Sequence, residues 1–183
     1  MSEDYLIRNC APTLAKLKTA NLFSCPYKNK SEVVEALCSL NRKLSRKGLR
    51  ILPLRFSEDK ALIYLYRPNL LAADLCHSEA IRILNPMGYD CANSEQCLAQ
   101  LAKKLRTQEA FPHEIGLFLG YPPGDVCGFM ENRPCSCKCV GCWKVYTDEA
   151  GAKRKFDQYR KCTKIYCQQW AKGIDIERLI VAG

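Results

Sequence analysis

Several features that mark common protein classes are missing from this 183-residue chain. No run of about 18 uninterrupted apolar residues occurs, so we expect no membrane-spanning helix. The first eight residues, MSEDYLIR, carry acidic side chains where a signal peptide is basic, and no apolar segment follows them. We therefore expect a cytoplasmic protein whose thiols are kept reduced.

The sequence motifs of common nucleotide enzymes and hydrolases are also missing. There is no G-x-G-x-x-G, no Walker loop and no G-x-S-x-G. No pair of carboxylates stands in an evident catalytic arrangement, and only two histidines are present. These absences argue against nucleotide-dependent enzymes and serine hydrolases, without excluding either.

Positive charge is in excess, because 28 lysines and arginines outnumber 19 acidic residues and give a net charge of +9. The basic residues concentrate in three segments, 42–50, 103–106 and 153–164. Solvated helix surfaces and helix C-termini account for such clusters. No nucleic-acid-binding motif accompanies them. A nucleic-acid partner is therefore an alternative that the charge allows and does not favour.

Cysteine is far more abundant than in most domains of this size, with 13 in the chain. An odd number cannot be fully paired within one chain, so reduced thiols or metal ligands are favoured. Four fall in one predicted loop, as Cys135, Cys137, Cys139 and Cys142. The gap between Cys139 and Cys142 lets two thiolates bind one metal from a tight turn, and the other two would complete a tetrahedral site. Such ligands suit zinc, an iron–sulfur cluster or copper(I), and the alternative is a reduced loop without metal.

A thiol-dependent enzyme is a second hypothesis, built on Cys10, Cys25 and His113. Cys10 precedes a predicted helix, whose dipole would lower the pKa of its thiol. His113 lies where a loop enters a predicted buried strand, and an imidazole beside a thiol would form a nucleophile–base pair. Glu114 follows His113, but neighbouring strand residues point to opposite faces. Nothing in the sequence places the cysteines and the histidine together.

Hydrophobic periodicity in the first half of the chain predicts helices and a hairpin. Val33, Leu37, Leu40 and Leu44 recur at helical spacing between a cap at Ser31 and a stop at Gly48. The surrounding pattern predicts a short helix from residue 10, a turn over 21–26, and strands over 49–56 and 60–67.

The second half is predicted to be mostly helical over 68–109, with strands over 115–119 and 143–147. A helix reaching Asn132, a long helix over 148–172 and a small one over 175–181 complete the pattern. The glycines at 116, 120, 124 and 128 indicate close backbone approach. The whole pattern predicts an α+β protein, with three or four mainly antiparallel strands covered by about six helices.

Six blocks together resemble an uncharacterised bacterial family of unknown function, found largely in anaerobic, clostridia-like bacteria. They cover nearly the whole chain in order, and the run PHEIGLFLGYP is the most specific of them. The blocks are CAPTLAKLKTANLFSC (10–25), LIYLYRP (62–68), FPHEIGLFLGYPPGDV (111–126), GFMEN (128–132), WKVY (143–146) and CTKIY (162–166).

The resemblance implies one full-length domain, residues 1–183, from an anaerobe's cytosol, and it implies no activity. An anaerobic setting favours iron–sulfur or other oxygen-sensitive thiol chemistry. Our leading hypothesis from the sequence is therefore a cytoplasmic metal- or iron–sulfur-binding protein with a metal-handling or redox role. Its proposed ligands are the four cysteines of residues 135–142.

Overall fold

The computed structural model describes residues 2–108, 110–132 and 136–182. Within them lie nine α-helices, a three-stranded antiparallel sheet and a two-stranded one, which confirms the predicted α+β class. None of the described helices is both long and apolar enough to cross a membrane. The chain forms two compact units, residues 1–70 with 161–183, and residues 71–160. The single domain predicted over 1–183 stays a prediction.

The regular elements follow one another along the chain with short connections. The first five are α1 (Glu3–Leu14), β1 (Ala20–Pro26), α2 (Lys30–Ser45), β2 (Arg50–Phe56) and β3 (Lys60–Tyr66). The helices that follow are α3 (Pro68–Leu75), α4 (Ser78–Leu84), a 3-10 turn (Asn85–Met87), α5 (Ser94–Thr107), α6 (Ile115–Phe118) and α7 (Pro123–Asn132). The last four elements are β4 (Cys139–Val140), β5 (Lys144–Val145), α8 (Glu149–Ala171) and α9 (Ile176–Leu179).

The first unit is a three-stranded sheet with helices packed on one face. Its strand order is β1-β3-β2, and β3 pairs antiparallel with both neighbours. Alternate residues of β3, at positions 61, 63 and 65, enter the core together with the apolar sides of α1 and α2. The predicted helical stripe of α2 is buried, as are Ile176 and Ile180 near the chain's end.

Two predictions for the first unit are wrong at the N-terminal end. The first helix begins at Glu3 and not at residue 10, and Pro12 lies in its last turn. Glu3 and Asp4 favour the helix start because they face the positive end of its dipole. Residues 20–26 form edge strand β1, not a turn, and its proline at position 26 is tolerated because it stands at the end of that strand.

A buried arginine holds together the end of α1 and the chain's C-terminal segment. Arg67 is 2% exposed, and its guanidinium donates to the carbonyls of Thr13, Leu14 and Val181 at 2.7–2.8 Å. Thr13 and Leu14 end α1, so their carbonyls lack partners within the helix. The cation also lies at the negative end of the α1 dipole, which favours its charge.

The prediction of a buried strand over 115–119 is wrong, because the chain forms the one-turn helix α6 there. The segment is buried as expected. A run of four or five apolar residues shows no period, so it cannot distinguish a strand from a short helix. The predicted helix ending at Asn132 and the long C-terminal helix are both confirmed, as α7 and α8.

Candidate functional site: an aromatic pocket in the second unit

Helices α6 and α7 approach each other closely, and a glycine makes this possible. A Cβ atom at Gly116 would lie 2.8 Å from Cγ2 of Val126 and 3.2 Å from Cδ2 of Tyr121. The turn between the helices contains Gly120, whose φ of 72° is the left-handed conformation that glycine adopts without strain. Close approach is thus present at Gly116, and an added Cβ at Gly124 or Gly128 would likewise lie under 3 Å from a side-chain atom, whereas Gly120 is needed for its positive φ.

A small hairpin, β4 and β5, forms the facing wall. Its turn lies directly against α8, because a Cβ atom at Gly141 would overlap the ring of Phe156. Trp143 in that turn packs edge-on against Phe156, with ring centroids 4.5 Å apart. It also stacks on Tyr121 at 4.9 Å. The hydroxyl of Tyr121 donates to the carbonyl of Cys142 at 3.1 Å. This bond joins the connection between α6 and α7 to the hairpin.

One buried carboxylate, that of Asp125 in the first turn of α7, holds the hairpin against this helix. Its Oδ2 accepts from Nε1 of Trp143, and its Oδ1 accepts from the backbone N–H of Tyr146 and from the N–H and hydroxyl of Thr147, all at 2.8 Å. Burial alone would raise the pKa of Asp125, but these four hydrogen bonds outweigh it and lower the pKa below its ordinary value. The carboxylate therefore stays ionised and fully engaged.

Between α6, α7 and the hairpin lies a pocket of about 290 Å³, which we call the aromatic pocket. Rings contribute much of its lining, one lysine provides a positive charge, and one histidine provides an imidazole. The lining residues are Phe111, His113, Ile115, Gly116, Tyr121, Asp125, Val126, Phe129, Trp143 and Lys144.

His113 and Lys144 both contact the ring of Phe129. The imidazole meets it edge-on, with centroids 4.9 Å apart, and the ammonium nitrogen lies 5.5 Å from its centroid. Lys144 forms no ion pair with any residue that the structure describes. The pocket therefore combines flat apolar walls with a cation that is available to a ligand.

Glu114 turns away from His113 into a separate buried cluster. It accepts a hydrogen bond from the hydroxyl of Tyr89 at 2.8 Å and pairs with the ammonium of Lys104 at 3.3 Å. The same ammonium lies 4.1 Å from the ring centroid of Tyr89. Burial, then the Glu114 carboxylate, raises the pKa of Tyr89. The two neighbours point apart as predicted, although they precede a helix and not a strand.

The predicted nucleophiles lie in the first unit and are buried. Cys10 is fully inaccessible to solvent, and burial raises the pKa of its thiol strongly. Cys25 is also in the core, where burial again raises the pKa. A raised pKa disfavours the thiolate, which is the nucleophilic form. These surroundings favour a packing role, and pairing of either thiol with His113 of the second unit stays a prediction.

The predicted metal ligands lie partly on the hairpin. Cys135 lies outside the described residues, and Cys139 begins strand β4, so the end of the predicted loop is a strand. Cys139 pairs across the hairpin with the buried Val145 and packs against the cluster around Phe156, whereas Cys142 is exposed in the turn. No three His, Cys, Asp or Glu residues in the described ranges are arranged to hold a metal ion.

Sequence reasoning missed most of the pocket, apart from His113. Tyr121, Phe129, Trp143 and Lys144 carry no chemistry-bearing motif, and only the folded chain brings them together. The role of Asp125 could not be predicted either, because its hydrogen-bond partners lie 18–22 residues further along the chain. One signal was available, since these five residues all fall within the blocks 111–126, 128–132 and 143–146 that carry the family resemblance.

Comparison with known proteins agrees with that resemblance. A family model described as "Protein of unknown function (DUF3793)" matches residues 6–180. No curated protein and no solved structure matches the chain. The matched range contains the whole second unit with the aromatic pocket, and all of the first unit except residues 1–5 and 181–183. The chain belongs to the DUF3793 family of proteins of unknown function.

Proposed function

We propose that this protein binds a small organic molecule with a flat ring system in the aromatic pocket. The observation that carries the proposal is the convergence of Tyr121, Phe129 and Trp143 on one cavity of about 290 Å³. Small-molecule sites are concave and mostly apolar with a few polar groups, and they hold roughly 300–1,000 Å³. The volume of the aromatic pocket lies just below that range, so a ligand of one or two rings fits best.

The pocket walls are held in place without a ligand. Trp143 is fixed by its hydrogen bond to Asp125 and by Phe156, and Tyr121 by its bond to the Cys142 carbonyl. Binding to walls that are already ordered loses less conformational entropy than binding that must order them. Flat aromatic side chains also favour stacked or edge-on contact with a flat ligand.

The test uses the two tryptophans of the chain as paired reporters. Protein labelled with 5-fluorotryptophan gives two fluorine resonances, which Trp170→Phe assigns. Trp143 lines the pocket, whereas Trp170 packs on the core of the first unit. On titration with naphthalene-2-methanol, a neutral two-ring probe, we expect a saturable shift of the Trp143 resonance and no shift of Trp170. No shift, or an equal non-saturating shift of both, would contradict the proposal.

A variant that removes one pocket ring gives the matched comparison. Phe129→Leu keeps an apolar side chain on α7 and removes the ring that contacts both His113 and Lys144. Loss of one stacking contact is worth about 1 kcal/mol, so we expect affinity for the probe to fall about fivefold. Phe56→Leu, in the first unit, is the control and leaves affinity unchanged.

Soft-metal binding by the cysteine segment is the second candidate function. The hairpin supports it, because Cys139 in β4 and Cys142 in the turn are separated by two residues, and two thiolates so spaced at a tight turn are typical of one half of a tetrahedral site. Cys137, two residues before Cys139, and Cys135, from the sequence pattern, are the further proposed ligands. Zinc and an iron–sulfur cluster are the groups that such thiolates suit.

Elemental analysis of protein purified without oxygen tests the second candidate. We expect metal near one site per chain in the wild type and its loss in the double variant Cys139→Ser, Cys142→Ser. The double variant Cys38→Ser, Cys76→Ser removes two other exposed thiols and serves as the control. Wild-type metal content in the hairpin variant would overturn this candidate.

A further inference from the structure

We infer that the ligand of the aromatic pocket is an aromatic carboxylate, whose anionic group is bound by Lys144. The inference rests on the proposed function and adds the charge of the ligand to it. It is carried by a difference between two charged residues of the lining. Lys144 forms no ion pair with a described residue, whereas the carboxylate of Asp125 is already hydrogen-bonded within the protein.

Lys144 is the positive group of the lining. The residue is half-buried in β5, beside Trp143, and makes no ion pair with any residue in the described ranges. Its ammonium lies 5.5 Å from the centroid of the Phe129 ring. A ring stacked in the pocket against Phe129 would therefore bring a substituent within reach of this cation.

Asp125 is the acidic residue of the lining, and its carboxylate is already hydrogen-bonded to the hairpin segment. It is 2% exposed, and its two oxygens already accept four hydrogen bonds from Trp143, Tyr146 and Thr147. A cationic ligand would meet Lys144 without finding a free carboxylate. The charge pattern thus selects against amines as well as in favour of carboxylates.

His113 strengthens the same preference. Its imidazole lines the pocket, meets the ring of Phe129 edge-on and is exposed to solvent. No hydrogen bond joins its ring nitrogens to another described residue. A ring N–H is a donor that a carboxylate oxygen accepts, whether the imidazole is neutral or protonated.

Three probes with one ring system and different charge test the inference. Naphthalene-2-carboxylate, naphthalene-2-methanol and naphthalene-2-methylamine are each titrated into 5-fluorotryptophan protein while the Trp143 resonance is followed. Charge-assisted hydrogen bonds are about twice as strong as neutral ones, so we expect the carboxylate to bind about tenfold more tightly than the alcohol. We expect the amine to bind more weakly than the alcohol.

Substitution of the lysine identifies the source of the preference. In Lys144→Met we expect the carboxylate and the alcohol to bind within about twofold of each other. Lys144→Arg keeps the preference. Lys155→Met removes an exposed cation of α8 that does not line the pocket, and leaves the preference intact.

The outcomes separate the inference from the function on which it rests. If the alcohol binds and the carboxylate gains nothing over it, or if Lys144→Met leaves the gain intact, the inference is overturned and the pocket proposal stands. If none of the three probes shifts the Trp143 resonance, the pocket proposal itself is overturned. Tighter binding of the amine than of the alcohol would likewise contradict the inference.

Discussion

Asp125 is the single residue on which the pocket wall depends most. Its carboxylate joins α7 to the hairpin through four hydrogen bonds, one of them to the tryptophan that lines the pocket. Replacing the carboxylate of Asp125 by an amide would place an N–H donor of the new side chain against the N–H or O–H donors that it now accepts from. The residue's role is thus to position the wall, and its ionised form is required for that role.

We predict that Asp125→Asn destabilises the second unit by about 2–4 kcal/mol, because buried donors lose a charged acceptor. Thermal or denaturant unfolding measures the change. Asp157→Asn, which alters an exposed carboxylate on α8, is the control and should stay within about 0.5 kcal/mol of the wild type. A loss equally small for Asp125→Asn would show that the four bonds are not formed in solution.

The lowered pKa of Asp125 predicts how stability changes with acid. A carboxyl whose pKa is lower in the folded than in the unfolded state contributes stability above its unfolded pKa, close to the ordinary 3.8, and loses it as the pH falls through the folded pKa. We expect the stability of the wild type to fall below about pH 4. Asp125→Asn should show a shallower fall, measured by denaturant unfolding between pH 6 and 2, and an unchanged slope would contradict this.

Some single-residue features could be predicted from sequence. The glycines at 116, 120, 124 and 128 indicated close approach, because glycine is selected where a side chain would collide or where φ is positive. Asp125 could not be identified, since a carboxylate in the first turn of a helix is ordinary and its partners are remote in sequence. The burial of Cys10 and Cys25 could not be predicted either, because it depends on how α1 and the sheet pack together in the first unit.

Helix α7 and strand β5 meet through a glycine. A Cβ atom at Gly128 would lie 2.6 Å from Cγ and 2.7 Å from Cβ of Tyr146, closer than real contacts allow. The side chain of Tyr146, the residue after β5, therefore packs directly on the backbone of α7 at Gly128. The position of the pocket's wall is set by that contact.

We predict that Gly128→Ala destabilises the protein by about 1–3 kcal/mol, by forcing α7 and the hairpin apart. The sign is informative, because alanine in a helix interior normally stabilises by about 0.5–1 kcal/mol relative to glycine. Thermal unfolding measures the change, and Glu131→Ala on the exposed part of the same helix is the control. A stabilised Gly128→Ala would contradict the close approach.

At the scale of elements, long periodic segments were predictable and short ones were not. The stripe of α2 and the paired strands β2 and β3 were correctly predicted, because many residues repeat the same signal. Helix α6 has only four residues, which is too few to show a period. Strand β1 was not predicted, because its terminal Pro26 suggested a turn.

The whole molecule contains exposed and buried thiols in each of its two units. Cys38 and Cys76 are exposed, whereas Cys10 and Cys97 are fully buried. Burial raises the pKa of Cys97 to about 12, with a further contribution from Cys91. No disulfide joins any of the described cysteines. Reactivity should therefore follow exposure and not sequence position.

We predict that N-ethylmaleimide modifies Cys38 and Cys76 at least about tenfold faster than Cys10 and Cys97 in the folded protein at pH 7.5. Mass spectrometry after a timed reaction measures each rate. In guanidinium chloride the four rates should converge, which is the control for intrinsic reactivity. Fastest modification of Cys10 would instead support a nucleophilic role for that thiol.

The α+β class and the family were within reach of the sequence, since both depend on patterns spread over the whole chain. The pocket was not. Its lining residues come from three separate segments, and each has an ordinary packing role when taken alone. Only their meeting in the second unit distinguishes a ligand site from a core.

Locating a bound ring system in the protein tests the proposed function of the aromatic pocket most directly. Intermolecular nuclear Overhauser effects are measured between naphthalene-2-methanol and protein whose methyl groups are carbon-13 labelled. We predict contacts from the probe to the methyl groups of Ile115 and Val126, which line the pocket, and none to Leu37 in the core of the first unit. Contacts to methyl groups outside the pocket, with none to Ile115 or Val126, would contradict it.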